Sequence, residues 1–244
     1  MTEEPQASQE HAGPEASAAP GTMTVEDLAE SFFFTRSLFH PPGAAQWAWL
    51  TSSGTAMLWE ALAACLDLDD DSPDADRAPP GGAGQIPPSM GLPESAEQYE
   101  VEFIAAFEVG APHPPVPLIE SHYTRCDPVP RLLHENILFY QAFGLRLKPS
   151  AGETPDHLRH ELEFAGYLCQ LEAAELRGSG DAERLTQIRQ ARHEYVTRHL
   201  LSWLPAAAEK ACAAPSPWVR RYLALVLALA RRVVAGAGPA PRKT

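Results

Sequence analysis

Apolar residues recur along this chain at helical intervals and almost nowhere in alternation. Thr24 is a helix-capping residue with Asp27 in the turn that follows, and Leu28, Phe32 and Phe39 then repeat at spacings of four and seven. The motif HPPG (40–43) stops that first helix, and Trp47, Leu50, Leu58, Ala61, Leu62 and Cys65 predict a second. Ser95 with Gln98 reads as a capping box ahead of the stripe Tyr99, Phe103 and Phe107, with Gly110 placed to end it. Further helices are predicted over 131–143, 155–177, 183–212 and 216–235, the third of them broken or kinked at Pro205. In the 155–177 helix, Leu158, Leu162, Ala165 and Cys169 form the buried stripe, with Phe164, Leu168 and Leu171 beside it. These patterns predict an all-α protein, a single-domain helical bundle of about six to eight helices.

Between the helices the chain changes character. Residues 1–22 lack large apolar side chains and read as a disordered acidic tail, and 237–244 as a disordered basic one, which leaves 23–236 as the domain. The stretch DDDSPDADRAPPGGAGQIPPSMGLPES (69–95) holds six prolines and four glycines, and is expected to be a long, flexible, acidic loop within the domain that fills no core. Its GGAG lacks the lysine and the strand–helix setting of a phosphate loop. APHPPVPLIESHYTRCDPVP (111–130) reads as a stiff proline-rich connection.

Charge narrows the partners. The formal net charge is −13: residues 60–108 hold twelve acids against the single base Arg77, and residues 1–30 hold seven acids and no base. Residues 215–244 hold six bases and no acid. Such a surface repels phosphate backbones and suits a basic peptide or protein segment, so no nucleic acid is expected as a partner. Cys65, Cys126, Cys169 and Cys212 lie more than forty residues apart with no CxxC pair, which favours buried, reduced thiols over a zinc ribbon or disulfides. The N-terminus carries no secretory or transit pattern. The most apolar run, YLALVLALA (222–230), is nine residues long against the ~20 of a membrane span, so a cytoplasmic protein without stable membrane insertion is expected. VRRYLALVLALA (219–230) imitates an export signal, but its position points to a buried helix with Arg220, Arg221, Arg231 and Arg232 at its ends. It also raises the option that one copy presents this segment to another, so monomer and homodimer both stay open.

The densest constellation is GETPDHLRHELEFAGYL (152–168). Thr154 suits an N-cap, Pro155 the first helical turn and Asp156 the positive end of the helix dipole. His157 follows, facing outward beside the preceding loop. Three readings compete. The residues are ordinary helix grammar; or His157, His160 and Glu161 hold a metal in an all-α enzyme, although HxxHE matches no helical zinc pattern; or an exposed Asp156–His157 pair receives a basic partner segment. No GxSxG motif and no cysteine beside a histidine suggests catalysis.

ETPDHLRHELEF resembles the E-x-P-D-H-L-x-x-E-L-x-F signature of the TorD/DmsD/NarJ family of molybdoenzyme maturation chaperones. FFFTRSLFHPP, PLIESHY, LLHENILFYQAFGLRL, HLLSWLP and WVRRYLALVLALA are similar, in order, to the family's other segments, over about residues 24–235. PLIESHYT and FYQAFGL most resemble the subgroup serving type II enzymes of the dimethyl sulfoxide reductase family. The 69–95 loop departs from the family's compact pattern. The resemblance implies a non-catalytic cytoplasmic chaperone without a cofactor of its own. It would bind the catalytic subunit of a molybdopterin oxidoreductase and its twin-arginine signal peptide while cofactor insertion finishes before export. It also implies that Asp156 and His157 line the binding groove with Pro155, that Glu153 and Glu161 add acidic contacts, and that Pro117, Glu120, Ser121 and Tyr123 form the facing loop. Asp156 would be the arginine acceptor, since a carboxylate takes a guanidinium at two points. Trp203 and Trp218 are expected as core anchors rather than peptide contacts. The remaining alternative is a generic all-α protein-binding adaptor.

Overall fold

The cap predicted at Thr24 is present and reciprocal. Its Oγ1 accepts the Asp27 N–H at 3.1 Å, and the Asp27 carboxylate accepts the Thr24 N–H at 2.7 Å, which starts α1 (Val25–Leu38). A computed structural model describes residues 23–68, 88–124, 128–148, 154–178 and 180–236. The expected tails at 1–22 and 237–244, most of the 69–95 loop, and Glu153 lie outside the described residues.

The all-α reading holds, with nine α-helices among the described residues. The number exceeds the expected six to eight because two predicted helices are each divided. The second splits into α2 (Ala44–Leu50) and α3 (Ser53–Cys65), since the Ser52 hydroxyl accepts the Thr55 N–H at 3.2 Å and starts a new helix there. That break turns α3: Thr55, Trp59 and Leu62 face the core, whereas Leu58, Ala61 and Cys65, predicted on the buried stripe, face outward. The 183–212 helix divides near Pro205 as predicted, into α7 (Ala182–Tyr195), a widened turn over Val196–Leu200, and α8 (Leu204–Cys212) with Pro205 in its first turn. The others are α4 (Ala96–Phe103), α5 (Val129–Ala142), α6 (Leu158–Arg177) and α9 (Pro217–Gly236).

The core is centred on α9, whose Trp218, Tyr222, Leu223, Val226, Leu229 and Ala230 are fully buried. This burial confirms the helix behind the decoy arginine motif, and no described helix is long and apolar enough to cross a membrane. Trp218 and Trp203 are both at 0% exposure, as expected of core anchors. The Trp218 indole donates to Glu102 Oε2 at 2.7 Å. The end of the proline-rich loop corrects the expectation that it fills no core. Pro88–Met90 forms one 3₁₀ turn, and the unbranched Met90 side chain is buried at 0% exposure in the main apolar cluster. The thiols are mixed: Cys169 is buried, which pushes its pKa up to about 11, whereas Cys65 and Cys212 are free and exposed.

α6 packs along α1 at close range because Gly166 carries no side chain. A Cβ there meets Phe32 Cβ and Phe33 Cζ, each at 3.1 Å. Gly166→Val therefore overpacks the α1–α6 contact and is expected to cost about 1–3 kcal/mol, read as a lower urea midpoint at unchanged slope. On its other side α6 pairs with α7 through Glu172, whose carboxylate takes Arg189 at 2.7 Å and Arg192 at 3.1 Å.

Candidate functional site

The helix of the 152–168 stretch begins three residues later than its grammar predicts. Thr154 is not the cap: residues 154–157 make a turn closed by the His157 N–H on the Thr154 carbonyl at 3.1 Å. His157 is the N-cap instead, its Nδ1 accepting the Arg159 N–H at 3.2 Å. Tertiary pairing accounts for the shift. Ile119 and His157 form an antiparallel bridge, in which Glu120 N–H donates to the Asp156 carbonyl at 2.9 Å and Leu158 N–H to the Leu118 carbonyl at 2.8 Å. The two ladder bonds flank His157, which is held extended at φ −79° and ψ 135°, so helix geometry starts only at Leu158.

This pairing brings the two predicted segments together. Glu120 and Ser121 bond to Asp156, and Pro117 lies in one groove with His157, while Tyr123 turns instead to Trp203. The exposed acid expected at Asp156 is corrected: its side chain is at 0% exposure, and Oδ2 accepts the Ser121 N–H at 3.0 Å. A short carboxylate with a backbone donor beside it turns inward and ties down the loop. Glu120 and Glu161 are buried at 0% exposure as well, so three of the expected acidic contacts are interior.

Glu120 occupies the centre of a polar network. Oε2 lies 3.0 Å from His199 Nδ1 and 3.3 Å from Asn136 Nδ2, and Oε1 accepts the Ser202 hydroxyl at 3.2 Å. Asn136 Oδ1 accepts the Tyr195 hydroxyl at 2.8 Å, Tyr195 lies 3.1 Å from Tyr140, and Tyr140 donates to the Pro155 carbonyl at 2.7 Å. The chain of contacts therefore starts under the loop and returns to the turn before α6. Glu161 accepts the Trp203 indole N–H at Oε2, 3.0 Å away, and faces Glu120. Burial, then the Glu120 carboxyl, pushes the pKa of Glu161 well above the usual glutamate range, so it stays protonated and can donate to Glu120. Burial also raises Tyr140 and Tyr195 well above the usual phenol value.

The outer side of this layer is accessible. Pro117, His122 and His157 line a groove of about 120 Å³ with Phe39, Phe107 and Arg159. Burial, with His113 stacked edge-on at 5.4 Å, holds His122 below its usual pKa. Tyr123 stacks on Trp203 at 5.2 Å, and Lys210 sits 4.7 Å over its ring. The metal alternative gains no support from the geometry: Glu161 points inward at Trp203 while the His157 ring caps α6, and no group of three metal-ligating side chains converges among the described residues. Sequence reasoning missed Asn136, Tyr195 and His199. Their one signal was polar residues falling on the apolar faces of their helices.

Comparison with known proteins matches residues 53–209 to the family described as nitrate reductase delta subunit. The selenate reductase assembly chaperone protein of Thauera selenatis is 37% identical over 130 residues, 52% of this chain and 66% of that protein. The chlorate reductase assembly chaperone protein of Ideonella dechloratans is 34% identical over 122 residues, 50% of this chain and 60% of that protein. The chaperone protein TorD of Vibrio cholerae serotype O1 is 33% identical over 69 residues, 28% of this chain and 30% of that protein. The chain thus spans less than two thirds of the curated relatives it matches. No solved structure matches it.

Proposed function

The chain belongs to the nitrate reductase delta subunit family, the TorD/NarJ group, and from that premise we propose that it is a cytoplasmic, non-catalytic maturation chaperone. Its client is the catalytic subunit of a molybdopterin oxidoreductase, bound through its twin-arginine signal peptide, its folded body, or both, until the molybdenum cofactor is in place. The observation that carries this reading is the pairing of 117–123 with 155–158, which builds a preformed groove over a rigid polar layer. Rigid support of an exposed rim lowers the ordering cost of capturing a partner. His157 and Pro155 form the client-facing rim, flanked by Ser121 and Tyr123, whereas Pro117, expected among the contacts, is buried and floors the groove beside His157. Asp156, Glu120 and Glu161 act from beneath as positioning residues.

Co-purification tests this. The chain is expressed with the catalytic subunit encoded nearest its gene, with and without that subunit's signal segment. The expected result is capture of the subunit, weakened about tenfold by His157→Ala, with a stability loss limited to the about 0.5–2 kcal/mol of the α6 cap that the substitution removes. Failure to capture the subunit in either form contradicts the reading. In that case the adaptor alternative is the one to pursue.

A further inference from the structure

Burial of Glu120, Asp156 and Glu161 leaves an arginine-led segment without the acceptor assigned to it, since all three are at 0% exposure. Three hollows in the described surface differ in what they offer instead. The groove at His157 sets Glu108 against Arg159. A second, of about 500 Å³, lies on one side of α1 against α5 and α6, and Arg36, Arg146, Lys148 and Arg159 line it with the single acid Glu163. That surplus of positive charge repels arginine.

The third hollow lies on the neighbouring face of α1, with Phe33 lining both hollows. It is a cleft of about 600 Å³ bounded by α1, α2 and α3, walled by Phe33, Phe34, Trp49, Leu58 and Leu62, and edged by Asp27 and Glu30 with no base among its lining residues. Its outer wall continues into exposed apolar surface: Leu58 is 53% and Met57 73% exposed, one turn of α3 from the buried Leu62. Contiguous apolar surface with an acidic edge complements an apolar segment led by cations. The Asp27 carboxylate is committed to the Thr24 cap, which fixes it in place, and Glu30 stands exposed one turn further along α1. We propose that the α1–α2–α3 cleft, and not the signature turn, holds the apolar stretch of the client's signal segment, with the arginine pair at Asp27 and Glu30. The proposal rests on the chaperone reading for the identity of the partner, and it divides the labour: the His157 groove faces the client's body and the α1–α3 cleft its signal segment. The two openings of α3 that sequence patterning assigned to the core, Leu58 and Ala61, become the specificity surface.

The probe is a synthetic peptide of two arginines followed by a leucine–alanine run, titrated calorimetrically into the full chain. A paired-glutamate version of the same peptide is the charge control. Binding to the wild type is expected, weakened at least about tenfold by Leu58→Glu and by Glu30→Lys, absent for the glutamate peptide and unchanged in His157→Ala. Ala61→Glu, at an exposed position of the same wall, serves should Leu58→Glu lose its helical circular dichroism. Binding that survives Leu58→Glu and Glu30→Lys but is lost in His157→Ala overturns the cleft assignment while the chaperone reading stands. No binding of the peptide to the wild type also overturns it, and co-purification with a client subunit lacking its signal segment judges the chaperone reading separately.

Discussion

Trp203→Ala is expected to cost the fold about 3–5 kcal/mol, the range for truncating a buried large aromatic. Trp203 is at 0% exposure, its indole N–H is a donor to Glu161 at 3.0 Å, and its ring supports Tyr123. Alanine at this position opens a cavity, strips a buried carboxyl of its donor and removes the floor beneath the 117–123 loop in one change. Trp203→Phe separates these effects: it keeps most of the packing and loses the hydrogen bond, for about 1–3 kcal/mol. Urea unfolding followed by far-ultraviolet circular dichroism gives both values. A loss under about 1 kcal/mol in Trp203→Ala contradicts the placement of this residue at the junction of core and loop.

The second large effect is a fall in stability as pH rises, and it belongs to Glu161. Its pKa in the folded protein is raised, by burial first and then by Glu120, whereas in the unfolded chain it returns to the usual glutamate range. Between those two values the folded state holds a proton that the unfolded state has released. Stability contributed by that proton is complete below the unfolded value and is lost as pH climbs toward the folded value, at a limiting slope of about 1.4 kcal/mol per pH unit. Glu161→Gln keeps a donor toward Glu120 and an acceptor for Trp203 but cannot ionise. Its stability should therefore run flatter than that of the wild type as pH rises above the ordinary glutamate range. Parallel curves for the two proteins show that Glu161 carries no buried proton.

Much of this fold is legible in the sequence because local rules and tertiary packing agree. Thr24 caps α1, Ser95 caps α4, and the stripes Tyr99–Phe103–Phe107 and Leu158–Leu162–Ala165–Cys169 are buried as their spacing requires. Local grammar fails where a distant segment outbids it. Thr154 and Pro155 carry every mark of a helix start, yet a turn over 154–157 and the ladder to Leu118 and Glu120, which holds His157 extended, delay the helix until Leu158. Ser52 redirects α3 by starting a new helix, which rotates Leu58 and Ala61 out of the core that their spacing from Trp47 and Leu50 assigns them. The candidate site divides in the same way. That 117–123 faces 155–157 follows from the resemblance, and the structure brings the two segments together. That the acids of the signature are interior does not follow from any local pattern. It depends on Trp203, which bonds Glu161, and on the network around its neighbour Glu120, which Asn136 of α5 and Tyr195 and His199 of the 195–203 stretch supply.

If the chain matures a molybdoenzyme subunit as proposed, the molybdenum content of that subunit reports it without intermediary. The catalytic subunit encoded nearest the gene is purified from cells with the chain, without it, and with it restored from a plasmid, and metal per polypeptide is determined by elemental analysis. The account predicts a subunit largely empty of molybdenum when the chain is missing and filled when it is restored. A subunit equally filled in all three contradicts it.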